Sequence, residues 1–301
     1  MRVIVVGGGI IGTTSAFRLK KRFPWLKVKL IAAQLSPDTT SDIAAGWWEP
    51  HLDPDTPNHL VKTWAAETYH LCSSLARGEW VEELADLNKE MRGTVRRMQG
   101  MEVDSNNSFL NPSWSDITTD YRHLSEKDLK VLGLVKGNLT FGHSYLSFTW
   151  EPSKALPLFY SWLQKNGVQI IRRKLESLSE IESGCDLVVN CTGLGSKDLV
   201  DDTAMFPISG HVLRVKAPWV GSVMVDSRQE SWAYIIPNRE SVVLGSVDSR
   251  DNWDTLPKNN DGERIRKNCE KLCPGLEVRC IIQMTYTFSS SCQISNLICM
   301  H

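Results

Sequence analysis

Val3-Ile4-Val5-Val6-Gly7-Gly8-Gly9-Ile10-Ile11-Gly12 opens the chain, and a helical pattern runs on from it through Phe23. An apolar strand, a glycine turn and a helix start, in that order, hold a dinucleotide pyrophosphate. The three glycines serve different ends. Gly7 makes the tight turn, Gly9 lets backbone N–H groups approach the phosphates, and Gly12 lets helix and strand pack closely. The helix N-terminus adds partial positive charge toward the phosphates. A Gly-x-Gly-x-x-Gly string alone also fits a plain glycine-rich turn, so its place between strand and helix carries the reading.

Outward from this turn, Phe23-Pro24 marks the end of the helix, and Val28-Lys29-Leu30-Ile31 is the second strand of a βαβ unit. An acidic residue commonly follows that strand and takes the adenosine ribose; Ala32, Ala33 and Gln34 stand there instead. Periodicity predicts a helix over 58–77 with Leu60, Trp64, Tyr69 and Leu71 inward, and another over 79–87. A third lies over 125–132 behind a Ser125/Asp128 capping box, and a fourth over 152–165 behind Pro152. Residues 100–120 are polar and read as an irregular excursion. Strands return at 168–171 and 187–190, the latter entering the small-residue turn Cys191-Thr192-Gly193-Leu194-Gly195. The short apolar runs 212–215, 232–236 and 241–245 then have the spacing of an antiparallel sheet in a second domain.

The 301 residues can bury a substantial core or two. Lys+Arg 34 against Asp+Glu 35 leaves a net charge of -1, which argues against a nucleic-acid surface. Eight cysteines are scattered without a Cys-x-x-Cys pair or a histidine cluster at zinc spacing, so they read as reduced thiols and no metal site is expected. No apolar run approaches the ~18 residues of a membrane span, and the apolar start is too short for a signal peptide.

Several segments stand out together: the glycine turn, Pro37-Asp38-Thr39-Thr40-Ser41-Asp42-Ile43-Ala44-Ala45-Gly46, Pro50-His51 and Pro54-Asp55-Thr56-Pro57. Further on are 188–195, Gly210-His211-Val212, Ala217-Pro218-Trp219 and Tyr234-Ile235-Ile236-Pro237. In this order the chain resembles the D-amino-acid oxidase family, and within it the branch that acts on D-aspartate. The resemblance implies an α/β fold: a Rossmann-like FAD-binding domain with a second, mainly antiparallel α+β substrate domain. It divides the chain into 1–57 and 140–205 for FAD, 58–139 and 206–288 for substrate, and an atypical tail, 289–301. The implied reaction oxidises a D-amino acid by hydride transfer from Cα to the flavin, giving 2-oxo acid, ammonia and hydrogen peroxide, with oxygen as second substrate.

Carried over residue by residue, Gly7, Gly9, Ile10, Ile11 and Gly12 match the pyrophosphate turn, and Thr40 and Ser41 match hydroxyls that contact the cofactor. Ala45, Gly46 and Trp47 match the backbone beside the flavin ring, and Thr192 and Gly193 the turn near the adenine half. Tyr234 matches the tyrosine that binds the substrate α-carboxylate, and His51 a histidine near the side-chain carboxylate. The plainer readings stay open: Thr39 to Ser41 as an N-cap cluster, Trp47 as interface packing, Tyr234 as a core residue and His51 as a solvated group.

The chain departs from the family near its end. The position of the arginine that pairs with the α-carboxylate falls near Ser289, and no Asp, Glu, Lys or Arg occurs from 283 to 300. The later glycine-rich flavin cover has no counterpart, so the C-terminal part of the cofactor domain is expected to be missing and the tail foreign to the fold. Weak flavin retention and low activity are the corresponding expectations. The chain ends Cys299-Met300-His301 in place of the family's frequent peroxisomal tripeptide, which makes the cytoplasm the expected location. Alternatives are a glycine- or sarcosine-type flavin amine oxidase, or a non-catalytic truncated form; a homodimer is left open.

Overall fold

A computed structural model describes residues 1–50, 56–104, 112–132, 141–228, 231–250, 252–253, 260–276 and 281–292, with 247–250 and 281–292 as backbone. The described strands are β1 (Arg2–Val6), β2 (Lys27–Ala32), β3 (Val95–Asp104), β4 (Thr119–His123), β5 (Phe141–Trp150) and β6 (Gln169–Arg172). They continue with β7 (Leu187–Asn190), β8 (Met205–Val215), β9 (Val223–Asp226), β10 (Ala233–Pro237), β11 (Val242–Arg250) and β12 (Ile281–Cys292). Two sheets result: a parallel one in the order β6-β2-β1-β7, and a larger one in the order β12-β8-β11-β10-β9-β3-β5-β4. The larger sheet is antiparallel throughout except at β3/β9.

The parallel sheet follows from buried apolar strands. Val3, Val5 and Leu30 are sealed on one face by the helices Ile10–Arg22 and Pro152–Lys165, which meet through Phe17 and Trp162 at 4.6 Å between ring centroids. Ile4, Val6 and Ile31 pack on the other face against Leu175 and Ile181. The larger sheet also has two different faces. Leu213, Leu244, Ile235 and Met101 point into a core with Ile265, Cys269 and Leu272 of the helix Asp261–Leu272. The opposite face carries the site described below. One apolar cluster runs from Val3 and Phe17 through Phe159 to Tyr69, Phe148 and Tyr145, so the two sheets share a core.

Several expectations change. The run 100–120, read as irregular, contains the second half of β3 and the start of β4. Phe141–Trp150, assigned with 140–205 to the cofactor segments, is β5 and lies in the larger sheet between β3 and β4. Residues 289–292, expected to begin a foreign tail, pair with β8 from Ser289↔Ile208 to Cys292↔Met205. The helix Asn58–Arg77 buries Ala65, Tyr69, Cys72 and Leu75, whereas Trp64 is 54% exposed, because the stripe runs one position beyond the one chosen from the larger side chains. A single 3₁₀ turn and the helix Asn88–Arg92 replace the helix expected over 79–87. The capping box at Ser125 forms as read, with Ser125 Oγ accepting from Asp128 N–H at 3.2 Å.

Candidate active site

β1 and β7 lie side by side, and their carboxyl ends carry the glycine turn and Cys191-Thr192-Gly193. Gly7 has φ +124°, and a Cβ there would sit 2.1 Å from the Cys191 carbonyl oxygen. A Cβ on Gly12 would sit 2.0 Å from the Gly7 oxygen, so both glycines are required for strand and helix to touch. Gly9 is different: its Cβ would meet only Ser41 Oγ, at 3.1 Å, and would otherwise fill open space. The helix Ile10–Arg22 begins at Gly9 with no side-chain cap and no acidic residue in its first turn. Ile11 beside it is 66% exposed. A helix N-terminus whose Gly9 N-cap has no side chain, with an uncovered isoleucine beside it, is a cradle for an anionic group with an apolar flank.

Around this cradle the chain is braced by side chains. Ser41 Oγ accepts the Ile10 N–H at 3.0 Å, and Tyr160, from the helix Pro152–Lys165, donates to the Gly8 carbonyl. Thr192 Oγ1 bonds Asn190 Oδ1 at 2.7 Å and lies 2.9 Å from Ser196 Oγ, which fixes the turn after β7. Thr39 N–H and Oγ1 both donate to Asp42, at 3.0 and 2.6 Å, so the plainer capping reading of this cluster holds for Thr39. Thr40 stands exposed in the first turn of that short helix.

From Asp42 the chain crosses to the larger sheet. Asn238, at the β10–β11 turn, donates from Nδ2 to the Ala45 oxygen at 3.0 Å. Arg214 of β8 donates to Asn238 Oδ1 at 3.1 Å and to the Ile43 oxygen at 3.0 Å. Burial lowers the Arg214 pKa. Gly46 has φ +78° and exchanges main-chain contact with Trp150, its oxygen accepting from Trp150 N–H at 2.8 Å. Trp47 then lies across Gly100 of β3, where a Cβ would meet its ring at 2.4 Å. Tyr234 lies in the same way across Gly245 of β11.

Cross-strand register places a row of residues on one face. Val212, Gly245, Tyr234, Val225, Glu102 and His143 are successive neighbours on β8, β11, β10, β9, β3 and β5. Ile43, Ala45 and Trp47 pack against Val212, Val223, Ile236 and Val243 on this face, with Val225 and Tyr234 at the margin. Burial pushes the Tyr234 phenol above its ordinary value, so it is a proton donor in the neutral range. A carboxylate is the complementary ligand.

At the β3 end of the row the chemistry is acidic. Glu49 accepts from Trp47 Nε1 at 3.2 Å, and the same N–H reaches Tyr145 Oη at 3.3 Å. Burial, with the charge of Glu102 behind it, raises Glu49 to about 8. Burial also acts to raise Glu102, but hydrogen bonding from His143 and Ser227 outweighs it and holds that carboxyl low. His143 Nε2 stands 3.2 Å from Glu102 Oε2.

The structure thus brings together Gly7, Gly9, Ile10, Ile11, Gly12, Ser41, Thr192 and Gly193 at one end, and Ala45, Gly46, Trp47 and Tyr234 at the other. His51 lies outside the described residues. Arg214, Asn238, Glu49 and Glu102 carry no role in the sequence reading. Only Glu49 had an accessible signal, as the acid two residues beyond the flavin-matching Ala45-Gly46-Trp47.

A family model described as DAO, FAD dependent oxidoreductase, matches residues 2–292. The chain is similar to D-aspartate oxidase of Homo sapiens, with 32% identity over 287 residues, 94% of this chain and 79% of that protein. It is also similar to D-amino acid oxidase of Dugesia ryukyuensis, with 30% identity over 280 residues, 92% of this chain and 79% of that protein. Among solved structures, glycine oxidase from Geobacillus kaustophilus superposes with a TM-score of 0.77 at 16% identity, covering 97% of this chain and 83% of that one.

Proposed function

The chain belongs to the DAO family of FAD dependent oxidoreductases, and from that premise we propose that it oxidises D-amino acids, D-aspartate foremost, to 2-oxo acid, ammonia and hydrogen peroxide. The observation that carries the reading is Tyr234, a protonated phenol held on the sheet face beside Ala45 and Trp47. FAD, when bound, accepts the electrons of the substrate and passes them to oxygen.

The helix N-terminus at Gly9 to Gly12 would hold its pyrophosphate, and Ser41, Thr192 and Gly193 would flank it. The strip from Ile43 to Trp47 would lie beside the ring, fixed by Arg214 and Asn238. Tyr234 would donate to the α-carboxylate and so orient Cα, while the apolar wall of Val212, Ile236 and Val243 excludes water. This division of labour needs no protein nucleophile. Support for D-aspartate comes from the similarity to the human D-aspartate oxidase.

The test is purification, a flavin absorbance spectrum and a peroxide assay on D-aspartate, D-glutamate, D-alanine, glycine and sarcosine, with L-aspartate as control. D-aspartate is expected to be fastest. Turnover confined to glycine or sarcosine would replace the substrate reading, and a colourless protein that takes up no added FAD would remove the enzyme reading.

A further inference from the structure

Nothing but packing fixes the phenol of Tyr234. Among the described residues its Oη has no hydrogen-bond partner, yet it is not sealed from solvent. Its contact with Trp232 is edge-on, at 6.2 Å between ring centroids. The close contact is with Gly245, the residue directly opposite on β11. A Cβ built on Gly245 would lie 1.9 Å from Cζ, 2.2 Å from Oη and 2.4 Å from Cε2 of Tyr234, so the hydroxyl end of the ring rests on the glycine backbone.

Glycine is needed there for space alone. Gly245 is not left-handed, and it pairs with Tyr234 on one side and Val212 on the other as an ordinary strand residue. At Gly7 and Gly12 an added Cβ meets main-chain oxygen, whereas at Gly245 it meets the far end of a side chain. The main chain of β10 cannot absorb the clash. It is paired with β9 and β11, and on the opposite face Cys269 Sγ donates to the Tyr234 oxygen at 3.5 Å. The ring must give way instead. Ordinary contact needs about 3.5–4.0 Å, so the hydroxyl would move by on the order of 1.5 Å, a costly shift in a group that orients the reacting carbon. Just beyond Gly245 the register of β11 slips between Ser246 and Asp248, a bulge of the kind that aims side chains beside active sites.

Resting on the oxidase reading, in which Tyr234 binds the α-carboxylate, we propose that Gly245 is a positioning residue: the space of its missing side chain seats the phenol and sets where that carboxylate is bound. Oη lies over β11 rather than over its own strand, so the carboxylate is received there, beside Val212 of β8.

The experiment measures kcat and KM for D-aspartate, flavin content and denaturation midpoint on the holoenzyme and on Gly245→Ala, Tyr234→Ala and the double variant. Gly245→Ala is expected to raise KM and to lower kcat/KM by about tenfold to a hundredfold, with midpoint and flavin content unchanged. In the Tyr234→Ala background there is no ring to displace, and the same methyl should change kcat/KM by less than about twofold. The tyrosine band of the near-ultraviolet circular dichroism should change with Gly245→Ala only where Tyr234 is present. An unchanged kcat/KM in Gly245→Ala, an equal loss in both backgrounds, or a fallen midpoint showing that the strand gave way rather than the ring would each overturn the proposal. A wild type that oxidises no D-amino acid would remove the oxidase reading and the carboxylate role with it, while the dichroism would still decide whether Gly245 seats the ring.

Discussion

At the ends of β1 and β7 the chain offers a ligand its main chain, whereas on the larger sheet it offers side chains. The first region uses Gly7, Gly9 and Gly12, all within one turn and helix start. The second collects Arg214, Tyr234, Glu102, His143 and Glu49 from four strands and a crossing segment. A phosphate needs close, oriented N–H groups, which a local turn can supply. An amino acid must be held by carboxylate, side chain and Cα at once, which requires groups converging from distant parts of the chain.

The contrast can be broken most sharply at Gly12. Gly12→Ala drives a methyl into the Gly7 carbonyl, and a loss on the order of 3 kcal/mol in folding is expected, read as a fall in denaturation midpoint together with lost flavin binding. Tyr234→Phe should leave flavin content and midpoint unchanged but lower kcat/KM by tenfold to a hundredfold, about 1.5–3 kcal/mol for a hydrogen bond to a charged group. An unchanged kcat/KM would return Tyr234 to a packing role.

Arg214→Lys keeps the charge but loses the fork that reaches both Ile43 and Asn238. A cost of about 1–2 kcal/mol is expected, seen as a lower midpoint and weaker flavin retention. Gly9→Ala separates ligand from fold. Its methyl meets only Ser41 Oγ, so the flavin-free midpoint should hold while FAD affinity falls about tenfold, some 1.4 kcal/mol. Equal losses at Gly9 and Gly12 would mean that neither glycine reports a ligand.

A further test is the dependence of stability on pH. Glu49 in the fold titrates at about 8 against an ordinary 4.5, so between those values the folded chain holds a proton that the unfolded chain has released. Its contribution is complete below the lower value and is lost as pH rises through the upper one. Glu49→Gln should flatten that part of the urea midpoint against pH, and an unaltered slope would place the proton elsewhere.

Legibility in the sequence follows the same division. The glycine turn, the helix behind Pro152 and the Ser125/Asp128 cap could all be read, because each depends on residues within a few positions of one another. β3 was missed although Met101 and Val103 alternate with Gly100, Glu102 and Asp104: its site-facing positions are polar or small yet buried, so the run reads as one polar stretch with the asparagines that follow it. β5 escaped for a related reason, with His143, Ser147 and Thr149 buried among its aromatics.

The sequence by itself determined the dinucleotide turn and the family, since both are encoded in short, ordered motifs. Only the tertiary structure decided that Tyr234, Glu102 and His143 share one face with Trp47 and Glu49. Sheet register, which sets which residues stand side by side, is a property of strand pairing across distant segments and leaves no local mark on the chain.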